Sequence, residues 1–147
     1  MREITRDELD NRLRAGLEEV ERILDRSYSP YSGFCVGAGL ILAGGGVVTG
    51  VNYESASYGL TLCAERAAMA KAQSEGSIDH VKAVVLSTMR RDSTVMEKPF
   101  TPCGACRQWL AELAGRLGHD IPIYSFWHHG EAGLQGSAKA LLPEAFL

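Results

Sequence analysis

The chain has 147 residues, including four cysteines, and carries a formal net charge of −3. This length suffices for a substantial core, so we expect a single domain over residues 1–147 that needs no disulfides. Scattered lysines and arginines disfavour nucleic-acid binding, and no apolar run approaches the roughly 20 residues of a membrane span. The N-terminus lacks the apolar core of a signal peptide, so we expect a protein of the reducing cytoplasm.

The first half of the chain predicts one helix and a β-hairpin. Residues Thr5 to about Arg26 place leucines and a valine on one helical stripe, and Thr5–Glu8 resembles a capping box. Residues Phe34–Ala43 then alternate apolar with other residues, and three glycines, Gly44–Gly46, connect them to Val47–Val51.

The second half predicts two helix–strand units. A helix from about Leu62 to Ser74 stops at Gly76 and precedes a buried strand, Val81–Thr88. A helix from Cys103 to about Arg116 stops at Gly118 and precedes the strand Ile121–Phe126. This order predicts a three-layer α/β/α domain around one mixed sheet.

Two cysteines stand three positions apart at the start of the second of these helices, in "TPCGACRQ". A C-x-x-C pair suits redox chemistry and zinc ligation equally well, so the spacing alone does not decide. Cys63 occupies the same first-turn position of the preceding helix. Thiolates at two helix N-termini favour a cation between them, and three protein ligands would leave one coordination position for water.

The remaining candidate residues each have two interpretations. Glu65 lies two positions after Cys63 and is either a general acid/base beside an open metal site or a glutamate that complements the helix dipole. Cys35 in the first hairpin strand is interpreted as a plain buried thiol rather than a fourth ligand. His128 and His129 could suggest a metal site, but adjacent histidines after a strand favour a loop.

Five segments together resemble the small homotetrameric cytidine deaminases. They are "YSPYSGFCVGA" from Tyr28, "NYESASYG" from Asn52, "CAERAA" from Cys63, "PCGACRQ" from Pro102 and "LLPEAF" from Leu141. They occur in family order and span nearly all of the chain after the first helix. The resemblance implies a mixed five-stranded sheet and hydrolytic deamination of cytidine and deoxycytidine to uridine and deoxyuridine, with release of ammonia.

The resemblance also implies a site, residue by residue. Cys63, Cys103 and Cys106 would hold one Zn²⁺ per chain, and Glu65 would move protons. Arg66 and Gln108 would form hydrogen bonds around the thiolates. The substrate-binding residues implied are Phe34, Asn52, Glu54, Ala56, Tyr58, Ala64, Thr101 and Phe146. Among them, Asn52 and Glu54 would bind the ribose hydroxyls, Phe146 would close over the base, and Ala56 and Tyr58 would reach a neighbouring subunit's site.

Some features depart from the family pattern, and other functions stay possible. Tyr53 and Ser55 flank Glu54 where relatives more often have an apolar residue and Asn, and the stretches 89–100 and 126–131 are unusual. A polynucleotide-editing deaminase would need a basic channel and usually a histidine in place of Cys63. A deaminase or amidohydrolase acting on a modified cytidine or another amino-heterocycle would share the fold and the zinc site. A non-catalytic zinc-stabilised module would leave Glu65 without a role.

Overall fold

The computed structural model describes residues 1–95 and 99–146 and has one six-stranded mixed sheet. The strand order is β1-β6-β5-β4-β2-β3, in which β4 and β5 are parallel and all other neighbours are antiparallel. The strands are β1 (Arg2–Thr5), β2 (Phe34–Leu42), β3 (Val47–Val51), β4 (Val81–Arg90), β5 (Pro122–Trp127) and β6 (Ala132–Ser137). The helices are α1 (Asn11–Ile23), α2 (Ala64–Ser74), α3 (Gly104–Leu117) and α4 (Ala138–Leu141).

The sheet has six strands rather than the expected five. The sequence did not indicate β1 and β6, which pair with each other at one side of the sheet. In β1 only Ile4 is buried, and β6 contains two glycines and one large apolar residue, Leu134, so neither strand shows an apolar alternation.

The first helix is shorter than predicted. Helix α1 begins after Asp10, whose side chain accepts a hydrogen bond from the Leu13 amide, and a 3₁₀ turn over Leu24–Arg26 follows it. The Thr5 amide does donate to the Glu8 carboxylate, at 2.8 Å. That contact stabilises a separate 3₁₀ turn, Arg6–Glu8, because Asp10 offers a second N-cap before the apolar stripe begins.

Helices cover both faces of the sheet, as the predicted three layers require. Along β4, Val84 and Leu86 pack in the cluster that includes α2 and α3. Ala83 and Val85 alternate with them and pack in the cluster that includes α1. None of the helices in the described residues is long and apolar enough to cross a membrane.

The N-termini of α2 and α3 are positioned by the sheet. Helix α3 connects the parallel strands β4 and β5, so it begins beyond the carboxyl end of β4. Helix α2 packs very closely on β3 at Gly50, where a Cβ atom would lie 2.5 Å from the Ala68 nitrogen and 2.7 Å from the Ala64 carbonyl oxygen. Gly50 therefore allows the first turns of α2 to contact the sheet backbone, next to Cys63.

Candidate active site

Three cysteines converge where α2 and α3 begin. Cys63 is the N-cap of α2, Cys103 is the N-cap of α3, and Cys106 lies in the first turn of α3. The Sγ atoms of Cys63 and Cys103 are 3.6 Å apart, and those of Cys103 and Cys106 are 3.5 Å apart. All three are free thiols, so the C-x-x-C pair is not a disulfide.

This donor set fits a zinc ion. Ligands on a tetrahedral Zn²⁺ at a Zn–S distance of about 2.3 Å lie about 3.8 Å apart, close to the observed sulfur separations. All three sulfur atoms lie within 4.8 Å of one another. Cys106 is buried, whereas Cys103 is exposed, so a solvent molecule can reach a fourth position. The cofactor is one zinc ion per chain.

The sulfur cluster cannot hold three negative charges without a cation. The Cys106 thiol donates to Cys63, and together with the Arg66 guanidinium it lowers the pKa of Cys63 to about 5. The same hydrogen bond and burial raise the pKa of Cys106 well above its ordinary range. Metal ions bind the deprotonated form of cysteine, so ligation would displace the protons that these sulfurs retain.

Glu65 lies in the first turn of α2 and is 2% exposed. Burial raises the pKa of its carboxyl group above the usual range, and the neighbouring charge of Cys63 adds to the effect. A carboxyl group with a raised pKa is better able to accept a proton and to pass it on.

The two residues expected around the thiolates differ in their contacts. Arg66 Nη2 donates to the Cys63 sulfur at 3.7 Å and to the Thr61 carbonyl at 2.9 Å. Gln108 instead donates to the Glu112 carboxylate at 2.8 Å and to the Phe146 carbonyl. Both acceptors of Gln108 are oxygen atoms, and its expected hydrogen bond to the thiolates stays a prediction.

Asn52 and Glu54 are both buried but already have partners within the chain. Asn52 Oδ1 accepts hydrogen bonds from Ser27 and the Val36 amide, and its Nδ2 donates to the Phe34 carbonyl at 3.0 Å. Glu54 accepts hydrogen bonds from the Tyr31 amide and from Ser32.

These bonds set the charge of Glu54. Although burial alone would raise its pKa, the hydrogen bonds from Ser32 and Tyr31 and the charge of Arg91 hold the pKa below the ordinary value of 4.5. Glu54 is therefore a carboxylate at neutral pH. The sequence did not indicate that Ser32 and the Tyr31 amide hold it, because this loop contact depends on the conformation of residues 27–33.

Three of the residues expected near the base lie around the helix N-termini. The Phe34 ring makes edge contacts with Phe100 and Trp127, each with a centroid distance of 6.0 Å. Ala64 is buried in the first turn of α2. Thr101 is exposed just before Cys103, and its hydroxyl accepts a hydrogen bond from Arg107.

The other three expected residues lie on the outer surface. Ala56 is exposed, and Tyr58 is 77% exposed. Phe146 is 88% exposed and lines a surface cleft with Glu112, Gly115 and Arg116, in the second half of α3. A single chain therefore does not place the Phe146 ring over the cysteine cluster.

His128 and His129 form a turn after β5, as expected, but the structure adds a third residue that the sequence did not indicate. One ligand atom from each histidine and from Glu21 lies within a group that spans less than 4.8 Å. Glu21 is on α1, more than a hundred positions earlier, so no local pattern could have revealed this cluster.

The fold and the cysteine–glutamate cluster define the class of zinc-dependent deaminases. The sequence model for the cytidine and deoxycytidylate deaminase zinc-binding region matches residues 11–117, and the chain belongs to this family. It is 47% identical over 135 residues to a cytidine deaminase of Halalkalibacterium halodurans, covering 88% of this chain and 90% of that protein.

Two solved structures show the same fold. The cytidine deaminase from Burkholderia pseudomallei is 35% identical, with 90% of this chain and 97% of that chain covered and a TM-score of 0.77. The cytidine deaminase from Mycobacterium leprae is 30% identical, with 92% and 100% covered and a TM-score of 0.67.

Proposed function

We propose that this chain deaminates cytidine and deoxycytidine by hydrolysis, yielding uridine or deoxyuridine and ammonia. The observation that supports this function best is the convergence of three cysteine sulfurs beside a buried glutamate with a raised pKa. The need to keep these thiols reduced favours a cytoplasmic location.

Each residue of the cluster has a role in the proposal. Cys63, Cys103 and Cys106 would hold the zinc, and Arg66 would offset the negative charge of the thiolates. The bound zinc supplies Lewis acidity, which makes water nucleophilic near neutral pH. Glu65 would take a proton from that water and deliver it to N3 of the cytosine ring, while the water oxygen forms a bond to C4. It would then carry the second proton of the water to the 4-amino group, and the C4–N bond would break to release ammonia.

The substrate side of the site includes the Phe34 ring, which would pack near the nucleoside, and the backbone around Ala64 and Thr101, which would meet the edge of the pyrimidine. Asn52 and Glu54 would bind the ribose hydroxyls. Both residues already have hydrogen-bond partners within the chain, so their side chains would be held in position before the ribose binds. Glu54 would accept a hydroxyl hydrogen bond, since it is ionised at neutral pH.

We also propose a homotetramer with shared sites. Tyr53, Tyr58 and Leu60 are between 62% and 77% exposed, and neighbouring exposed apolar side chains favour a protein interface. In such an assembly Ala56 and Tyr58 would contribute to a neighbour's site, and Phe146 would close over a base. Light scattering on the active protein checks the assembly, and a fully active monomer would contradict it.

The substrate is tested by following ammonia release from cytidine, deoxycytidine, free cytosine and a short single-stranded oligonucleotide. We expect turnover of both nucleosides, little or none of the oligonucleotide, and slower turnover of cytosine. Internal pairing of Asn52 and Glu54 reduces the penalty for a missing sugar, because neither group is left without a hydrogen bond.

The same assay distinguishes a cytidine deaminase from the main alternative, an enzyme that acts on modified cytidines or other amino-heterocycles. The pairing of Glu54 with Ser32 and the departures at Tyr53 and Ser55 favour a wider range of substrates, including modified cytidines or other amino-heterocycles. Equal rates on cytosine and cytidine would support that alternative. Absence of ammonia from every substrate, in a preparation with one zinc per chain, would contradict the proposed function.

A further inference from the structure

Glu21, His128 and His129 form a cluster on the opposite face of the sheet from the cysteines. Glu21 is on α1, which packs against the cluster of Ile41, Val85 and Phe126, whereas α2 and α3 pack on the other face. We propose that this Glu21–His128–His129 cluster is a second metal site, which binds a divalent transition ion of borderline softness such as Zn²⁺ or Co²⁺.

The distances fit a shared ion better than direct hydrogen bonds. His128 Nδ1 lies 3.9 Å from Glu21 Oε1, and His129 Nδ1 lies 3.8 Å from Glu21 Oε2. Both separations are too long for hydrogen bonds. Donors on a tetrahedral ion at 2.0–2.2 Å lie about 3.3–3.6 Å apart, and one donor atom from each of the three residues already lies within 4.8 Å of the others, so a modest closure of the group would complete the geometry.

The imidazole nitrogens are available as ligands. His128 Nδ1 is buried and has no hydrogen-bond partner among the described residues. The side chain of His129 is 78% exposed, so an ion can enter from solvent. The two rings already lie against each other, with centroids 3.8 Å apart, which leaves little side-chain freedom to lose on binding.

The charge around Glu21 determines which ions fit. Arg6 donates to both oxygens of Glu21, and Oε1 also accepts from the His129 amide. Oε2 accepts only one long bond, 3.3 Å from Arg6, so this oxygen keeps a free lone pair. Because Arg6 neutralises the carboxylate, the imidazoles must provide most of the affinity, which favours Zn²⁺, Co²⁺ or Ni²⁺ over Mg²⁺ and Ca²⁺.

An ion bound here would connect two parts of the fold. Glu21 belongs to α1 and the histidines belong to the turn between β5 and β6, where Arg6 also contacts the Trp127 and Gly130 carbonyls. Binding to the folded state alone raises stability by mass action. The ion should therefore raise the thermal unfolding temperature of the whole chain.

The test is a Co²⁺ titration of the full chain with zinc already bound at the cysteines. We expect about one further Co²⁺ per chain, with visible d–d absorption and no sulfur-to-cobalt charge-transfer band, because the ligands are nitrogen and oxygen. The same titration should raise the unfolding temperature. The double variant His128→Ala/His129→Ala should lose both effects and keep its zinc.

Two further variants complete the design. The double variant His80→Ala/His119→Ala removes the other two histidines of the chain and should bind Co²⁺ like the parent. Glu21→Gln should weaken binding by at least the roughly 10–100-fold that partners outside the ligand shell contribute. The proposal is overturned if the parent binds no further Co²⁺ at millimolar concentration. It is also overturned if the His128→Ala/His129→Ala protein or the Glu21→Gln protein binds as the parent does.

Discussion

The cysteine cluster, which is partly open to solvent, and the buried Asn52–Glu54 segment differ in how many of their polar groups already have hydrogen-bond partners. The three sulfurs of the cluster have mainly one another as partners, and the charges that ligation requires are unstable without a cation. Asn52 and Glu54 each take part in at least three hydrogen bonds, with partners in strand β2 and in the loop of residues 27–33.

The two regions therefore respond differently to a ligand. A metal ion would supply the charge that the cysteine cluster lacks, whereas a nucleoside would meet Asn52 and Glu54 with their hydrogen bonds already formed. The three sulfurs can all be thiolates only beside a cation, so the cysteine cluster gains much from a metal ion. Asn52 and Glu54 already have hydrogen-bond partners and gain less from a ligand, but they hold their geometry before the ligand arrives. We therefore expect changes near the cysteines to affect chemistry most, and changes at Glu54 to affect stability.

The largest effect is expected for Glu65→Gln. The amide keeps the size and much of the hydrogen bonding of the carboxyl group but cannot carry a proton between water and substrate. General acid/base catalysis is worth about 10²–10⁴-fold, and Glu65 would serve at least two transfers, so kcat should fall to or beyond the upper end of this range. Steady-state kinetics and zinc analysis measure the effect, with one zinc per chain retained.

The matched control for this change is Glu75→Gln, at the exposed C-terminal end of the same helix. It removes the carboxylate at the C-cap of α2 and should leave kcat unchanged. If Glu65→Gln deaminated cytidine within about tenfold of the parent, Glu65 would only complement the helix dipole, and another group would move the protons.

A smaller effect, on stability rather than chemistry, is expected for Glu54→Gln. This change exchanges a charged acceptor for a neutral amide opposite the Ser32 and Tyr31 donors, and should cost about 1–3 kcal/mol of unfolding free energy at pH 7. Urea unfolding of both proteins measures it. Equal stabilities at pH 7 would show that the negative charge of Glu54 adds nothing to these hydrogen bonds.

The same pair of proteins tests the pH dependence. The pKa of Glu54 is lower in the folded chain than its ordinary value of 4.5, so its stabilising contribution is complete above that pH. The contribution disappears as the pH falls through the lower folded value. The difference between parent and Glu54→Gln should therefore be largest near pH 7 and shrink below about pH 4.5.

The sequence predicted the cysteine cluster because its signals are local. Cys103 and Cys106 are one helical turn apart, and Cys63 begins the preceding helix, so two predicted helix starts were enough to bring three thiols together. The family resemblance then implied that these thiols bind zinc. The three layers of the fold were also predicted from local signals, because the order of helices and strands can be read along the sequence.

The elements that the sequence missed depend on distant contacts. Strand β1 is recognisable only through its pairing with β6 at the other end of the chain. The hydrogen bonds of Gln108 to Glu112 and Phe146 depend on where the C-terminal segment crosses α3. The cluster of Glu21 with the two histidines likewise depends on how α1 packs, which no residue spacing specifies.

We expect the smallest effect for Cys35→Ala. This variant tests whether the cysteine cluster is independent of the loop that holds Glu54. Cys35 is fully buried in β2, and its Sγ lies 3.3 Å from the Ser29 hydroxyl. Ser29 belongs to the loop of residues 27–33, which also holds Glu54. Because this thiol already has a partner and lies outside the group of three converging sulfurs, zinc should remain at one per chain, and kcat should not change. Unfolding free energy should fall by only about 1 kcal/mol, the value of one ordinary hydrogen bond with a small change in packing. Zinc analysis, kinetics and urea unfolding on the same preparation measure all three quantities. A loss of zinc from Cys35→Ala, comparable to that from Cys106→Ala, would mean that the metal site draws on a fourth cysteine and that β2 moves to supply it.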